Sequence, residues 1–331
     1  MYGTGNKKML NMLILELLKE YSDADHRLTQ QEIIKLLQLN YGMECDRRSV
    51  KNNILSLKEM GYEISMEDGY YLMEREFEDA ELRMLIDSVL FSKTISTRQA
   101  KAIIEKLRKQ SNKYFSAKVS HVSNLPELYH IDNKQVMYTL DALNDAISSK
   151  KQVRFIYNAY DVDFKLHPKR EEKYLVNPYQ MVANNGYYYL IANYDKYNDI
   201  SHYRIDKMTD VEILETKVKP MSEVQGLEKG FCLPRHMAEH IYMFSGESVK
   251  VKMKAKRFLM NELMDWFGKD FHIVSDDGEE IIINVICNQQ AMRFWALQYG
   301  PYVEVLSPES LRQEIVKSVQ IMRDTYLEKT E

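Results

Sequence analysis

Apolar residues recur at helical spacing from the start of the chain. Met9, Leu10, Leu13, Leu17 and Leu18 share one stripe between Lys7 and Tyr21, which predicts a first helix. Thr29 stands three residues before Glu32, the arrangement in which side chain and backbone cap each other reciprocally, and Ile33, Ile34, Leu36 and Leu37 follow it. A second helix is expected there. After the loop LNYGMEC, Asp46 is a good N-cap, Val50, Ile54 and Leu57 fall at i, i+4 and i+7, and Gly61 closes a third helix. In GYEISMEDGYYLM the Asp68-Gly69 pair separates two short β-prone runs, as in a tight hairpin. Three short helices followed by a hairpin predict a winged helix-turn-helix over residues 1–75.

The helical period continues from Phe77 to about Lys118, with Ser96 or Thr97 able to cap a second segment, so residues 76–134 are expected to form a helical connector. SNLPELYHIDN carries a proline and turn formers and marks the next boundary, before a helix over Val136 to Ser148. After Lys150 the period changes to two: QVRFIYNAY, DFKLHPKR, KYLVNPYQMVANN, GYYYLIANY, SHYRIDKM and TDVEILE are short, closely spaced strands. They predict a small barrel or sandwich closing a domain over residues 135–216. Residues 217–246 are expected to be a linker with a short helix. From residue 247 to 331 the order strand, helix, strand, strand, helix, strand and a final helix is that of a ferredoxin-like βαββαβ domain. The fold class is therefore α+β.

Charge and composition narrow the function. Forty-five basic residues are balanced by 49 acidic ones, so any nucleic-acid contact must come from local patches rather than from a basic field over the whole chain. Cys45, Cys232 and Cys287 lie far apart without a CxxC pair, which predicts a reduced, cytoplasmic protein. The start MYGTGNKKML does not lead into an apolar signal core, and no apolar run is long enough to span a membrane, so no membrane partner is expected. Of catalytic signatures, GxSxG, GxGxxG, the P-loop and HExxH are all missing, which predicts a non-enzyme without cofactors.

Helix three carries the sharpest chemistry. With Val50, Ile54 and Leu57 turned inward, Arg47, Arg48, Ser49, Lys51, Asn52 and Ser56 are left toward solvent near the N-terminal half, the end that enters a major groove. An ordinary solvated face has a similar composition. What separates the two is the capped helix before it and the hairpin after it. Asp23, Asp25, Glu63, Glu67 and Asp68 keep the region from being basic overall, so binding to duplex DNA should be salt-sensitive. Strand alternation puts Tyr188 on one face and Tyr187 and Tyr189 on the other, so at least one ring is expected in the core; an exposed ring could stack a base. His236 and His240 stand one helical turn apart in RHMAEH. With no third ligand near them in sequence, they are expected to be a surface pair and not a metal site. Trp266 and Trp295, each beside a Phe, are expected in the core of the last domain.

From Arg154 to Glu215 the chain resembles the WYL domain of bacterial regulators: FIY in the first strand, LVNPYQMV with Pro178, GYYYLIANYD, then HYRIDKM and VEIL. Tyr188-Tyr189-Leu190 stands where the family's Trp-Tyr-Leu lies, with Tyr in place of Trp. The winged helix, the connector around EFEDAELRMLIDSVL and the segment FWALQYGPYVEVLSPESLR resemble the family's usual arrangement with its C-terminal extension. The resemblance implies a homodimeric transcription factor whose Sm-like β-barrel senses a single-stranded nucleic acid or nucleotide effector. Carried over by position, the effector contacts would be Tyr157, Tyr188, His202, Arg204 and Lys207. A rival function is a single-strand-binding accessory protein that uses the barrel as its main site.

Overall fold

The structure is a computed structural model that describes residues 9–118, 135–228 and 230–327. The boundary expected at SNLPELYHIDN lies outside the described residues. Among the described residues, no helix is long and apolar enough to cross a membrane. The chain has mixed α and β structure and divides into two compact units, residues 1–134 and 135–331.

The first unit opens with α1 (Leu10–Tyr21), α2 (Gln30–Tyr41) and α3 (Arg47–Glu59). Their apolar stripes meet in one core, in which Ile14, Leu17, Leu18, Ile33, Leu37, Val50 and Ile54 are fully buried. Local chemistry sets the helix ends. Thr29 and Glu32 form the reciprocal cap on α2, Gly42 leaves it in the left-handed conformation at φ 64°, and the Asp46 carboxylate accepts from the Ser49 amide at 2.7 Å to start α3. The hairpin is short: β1 (Ile64–Ser65) pairs with β2 (Tyr71–Leu72) around Asp68 and Gly69, whose φ values are 53° and 118°. A third segment joins it where Leu28 and Tyr70 exchange backbone hydrogen bonds of 2.9 and 2.8 Å. The connector continues as α4 (Asp79–Phe91), α5 (Thr97–Arg108) and α6 (Lys113–Lys118), with Ser96 as the cap of α5. Arg75, at its start, donates to the Lys19 and Ser22 carbonyls at 2.9 and 2.7 Å and so satisfies the end of α1.

The second unit begins with α7 (Val136–Ser149) and a six-stranded antiparallel sheet: β3 (Lys151–Tyr160), β4 (Leu166–Pro168), β5 (Tyr174–Asn184), β6 (Tyr187–Tyr194), β7 (Ile200–Arg204) and β8 (Met208–Lys217). Strand β3 pairs with β4, β5 and β8, the last through two register shifts, and the sheet curls around the buried face of α7. Phe155, Val176, Leu190, Tyr203 and Met208 fill the space between them. Across β3, β5 and β6 a row of buried amides, Gln152 to Asn177 at 2.9 Å and Asn177 to Asn193 at 3.0 Å, satisfies its own polar groups. The segment expected as a linker is more than that. Val224, Leu227 and Met243 from it are buried against Tyr179, Val182 and Ile191, and it carries α8 (Leu233–Glu239).

The final part contains β9 (Ser248–Lys256), α9 (Met260–Phe267), β10 (Phe271–Asp276), β11 (Glu280–Asn288), α10 (Gln289–Gln298), β12 (Val303–Ser307) and α11 (Glu309–Leu327). The sheet order is β10-β11-β9-β12 with every pair antiparallel. Period two explains its inner face: Val251, Met253 and Ala255 of β9 and Ile281, Ile283 and Val285 of β11 are buried, while lysines of β9 alternate outward. Trp295 is fully buried against Phe267. Trp266, expected in the core, is half-buried over Tyr242, because α9 turns Leu263 and Phe267 inward and leaves Trp266 at the edge of that stripe.

Candidate functional site

Two places concentrate chemistry, one in each unit. On α3, burial of Val50, Ile54 and Leu57 forces the opposite face outward. Arg47, Arg48, Lys51 and Asn52 are exposed and Ser49 and Ser56 partly so. Arg47, Arg48 and Lys51 have no ion-pair partner among the described residues, so their charge is available to an anionic surface. Asn53 is different: it turns back to donate to the Ser49 carbonyl at 2.8 Å. The first turn, free of acidic residues, adds the positive end of the helix dipole to the same side.

The second place lies at the end of β7. The Arg204 guanidinium is bidentate to Asp206, Nε at 3.1 Å and Nη2 at 2.7 Å, and its carbon lies 3.5 Å from the centre of the Tyr187 ring. Asp206 is fully buried on the 3-10 turn after β7, so the pair is fixed by a carboxylate that has no route to water. Burial is the strongest influence and works against the charge on Arg204, but the hydrogen bonds to Asp206 and the negative charge beside it together outweigh burial and hold the guanidinium pKa above its ordinary value. Tyr157 accepts the Arg204 backbone N–H at 3.1 Å, and burial pushes its phenol up to about 12. Lys207 lies 5.8 Å from the Tyr160 ring and Lys169 lies 5.3 Å from the Tyr157 ring. Burial, and then repulsion from Arg204, lowers the Lys207 pKa. Three cations thus gather beside the faces of Tyr157, Tyr160 and Tyr187, a combination suited to an anionic group joined to a planar ring.

Of the five residues expected to contact an effector, the fold brings Arg204, Lys207 and the Tyr157 hydroxyl together. Tyr188 is exposed, but alternation along β6 carries it to the face opposite Tyr187 and Tyr189, so the ring on Arg204 is Tyr187. The expectation that a ring of the Tyr triplet is core is also corrected: Tyr187 and Tyr189 are half-buried and the core positions of β6 are the next three, Leu190, Ile191 and Ala192. The triplet follows directly on the Asn185-Gly186 turn and so lies at the sheet's margin. Tyr160 and Lys169 were not anticipated, whereas a surface bridge from Arg204 to Asp206 or Asp210 is the plain reading of the sequence; the partner is Asp206, and it is buried. The cue for Asp206 was its i+2 position from Arg204 in HYRIDKM.

His202 leaves this group for another. The pair His236 and His240, expected at the surface without a third ligand, is 7% and 5% exposed, and His202 of β7 completes a cluster with it. Its physical reason is packing: His236 on α8 and His240 at that helix's end both meet the His202 ring of β7. The His202 and His236 Nε2 atoms are 2.8 Å apart, and the His236 and His240 rings stack at 4.2 Å. Burial drives all three imidazoles toward the neutral form, with His236 down to about 3.

Comparison with known proteins places these observations. Residues 138–213 match the WYL domain and residues 248–322 the WCX domain. A curated relative, the uncharacterized HTH-type transcriptional regulator YobV of Bacillus subtilis (strain 168), is 24% identical over 154 residues, 45% of each chain. Two solved structures align over most of this chain. Proteasome accessory factor B/C (PafBC) of Arthrobacter aurescens does so at 15% identity and TM-score 0.30, over 94% of this chain and 48% of its own. A CRISPR Cas-related protein does so at 14% identity and TM-score 0.42, over 100% and 89%. The chain thus spans under half the length of YobV and of PafBC, and TM-scores at this level carry no argument. The curled sheet with its Arg204 site and the four-stranded domain after it are, respectively, a WYL domain and a WCX domain, and the chain is a protein that carries both.

Proposed function

We propose that the chain is a cytoplasmic transcriptional regulator that binds duplex DNA through α3, acts as a homodimer, and senses an anionic effector at the Arg204 site of its WYL domain. The observation that carries the reading is the outer face of α3: exposed Arg47, Arg48, Lys51 and Asn52 on a helix whose inner face is locked in the core of a helix-helix-helix-hairpin unit. Arg48 and Asn52 lie one turn apart and suit guanine and adenine edges. The relationship to YobV, described as an HTH-type regulator, points the same way. In this reading residues 1–75 are the winged helix, 76–134 the connector, 135–216 an Sm-like barrel, 217–246 the connecting segment and 247–331 a ferredoxin-like extension.

For the effector, Arg204, Lys207 and Lys169 would hold a phosphate and the neighbouring tyrosine rings a base, which fits a nucleotide or single-stranded nucleic acid. Sequencing the genomic fragments that the purified chain retains tests the first half. A recurrent two-fold symmetric motif is expected, with the variant Arg48→Ala/Asn52→Ala losing it while keeping its circular dichroism. Retention of single strands in preference to duplex at equal salt would instead favour an accessory protein that works through the Arg204 site.

A further inference from the structure

The histidine cluster lies outside the Arg204 site, and neither the DNA reading nor the effector reading uses it. His202 projects from β7, His236 stands on α8, and His240 is the residue that ends that helix, where its ring stacks on His236 at 4.2 Å. One nitrogen from each ring lies within 4.8 Å of the other two. A tetrahedral zinc ion with ligands at about 2.0–2.1 Å sets its ligand nitrogens about 3.3 Å apart, so modest side-chain rotations convert this cluster into a ligand set.

Three further details suit a cation. The His240 Nδ1 is 3.1 Å from the His236 carbonyl oxygen, and donating its proton there leaves Nε2 with a lone pair turned away from the backbone. This is the outer hydrogen bond that orients metal-binding histidines. The His202 Nδ1 is buried without a hydrogen-bond partner among the described residues. The His202 and His236 Nε2 atoms, 2.8 Å apart, already face one another across the cluster.

We propose that His202, His236 and His240 form a binding site for a divalent transition-metal ion of the zinc type, with a solvent or exogenous ligand in the fourth position. The placement gives the ion a mechanical role. Helix α8 packs on β11 and α9, whereas β7 carries Arg204 two residues after His202, so the ion ties the strand of the anion site to the WCX sheet. Metal occupancy would then stiffen the strand that holds Arg204.

The test uses the full chain with any affinity tag removed, stripped with EDTA, dialysed, and titrated with Zn2+ by calorimetry, alongside Co2+ by visible absorption. One equivalent per chain, a tetrahedral Co2+ spectrum, and a rise in Tm of about 5–10 °C at a hundredfold excess over Kd are expected. His202→Gln, His236→Gln and His240→Gln should each weaken Zn2+ at least tenfold, whereas His272→Gln, an exposed histidine on β10, should not. Near-UV circular dichroism without metal establishes that each variant is folded. Failure of the native chain to take up stoichiometric Zn2+, or equal uptake by the folded His202→Gln/His236→Gln variant, overturns the proposal. Because no DNA enters the measurement, the outcome is independent of the role of α3.

Discussion

The Arg204–Asp206 pair allows a quantitative prediction. Asp206 is fully buried and the Arg204 side chain about a fifth exposed (0% and 22%), so replacing Arg204 by Met leaves the apolar stem over Tyr187 but strips the guanidinium from a carboxylate that cannot reach water. Breaking a buried pair costs about 3–5 kcal/mol; partial exposure of Arg204 puts this one at the lower end, about 3 kcal/mol. For a unit of roughly 200 residues that is a fall in Tm of about 6–12 °C. Asp206→Asn, which keeps shape and removes charge, should cost about 2 kcal/mol by loss of the charge-assisted bonds. The double variant should cost less than the sum of the two by at least about 1.5 kcal/mol, since the Arg204–Asp206 interaction is then lost once rather than counted twice. Urea unfolding followed by circular dichroism at neutral pH measures all three against the native chain. Additivity within about 0.5 kcal/mol, or a single-variant cost for Arg204→Met below about 1 kcal/mol, would refute the view that this pair is buried and coupled.

Other expectations follow from the same reasoning. Asp46→Ala removes the acceptor of the Ser49 amide at the start of α3 and should lower stability by about 1 kcal/mol in thermal melts, with Asp46→Asn largely restoring it. Gly69→Ala sets a Cβ 2.9 Å from the Arg27 Cβ at a φ of 118°, so denaturant unfolding should show a loss above about 1 kcal/mol. Tyr157 is raised to about 12 by burial, so it keeps its proton in the folded state where an unfolded tyrosine, near 10, gives it up. Its contribution is intact below pH 10 and is lost as pH rises through 12; at pH 11 it should cost about 1.4 kcal/mol that Tyr157→Phe does not show in parallel urea melts.

How much was legible in the sequence depended on the range of each signal. The bounds of α3 were readable because Asp46, Val50, Ile54 and Leu57 act within four turns of one helix. The strands of the curled sheet announced themselves by alternation, as did the buried face of β9. The histidine cluster was hidden because His202 and His236 are 34 residues apart and meet only when α8 packs over β7. The sequence offered Arg204 two partners, Asp206 two residues on and Asp210 six residues on, and the fold decides for Asp206 because Asp210 is taken by Lys173 at 2.6 Å. The Tyr triplet misled for the opposite reason. Alternation assigns faces but says nothing about distance from a sheet's margin, and here the first three residues of β6 lie beside a turn.

The role of β3 as the strand shared by three neighbours has a consequence for biogenesis. Lys151 pairs with Lys217, so the edge of β3 that meets β8 is not fully paired until the ribosome has delivered the end of β8. At about 5–20 residues per second that interval is roughly 3–13 s, and throughout it an apolar strand with unpaired amides is open to misjoining with another nascent copy. The N-terminal helices, built on contacts close in sequence, face no such wait. Synthesis conditions that slow elongation between those two lysines should therefore lower the yield of native protein more than equal slowing earlier in the message.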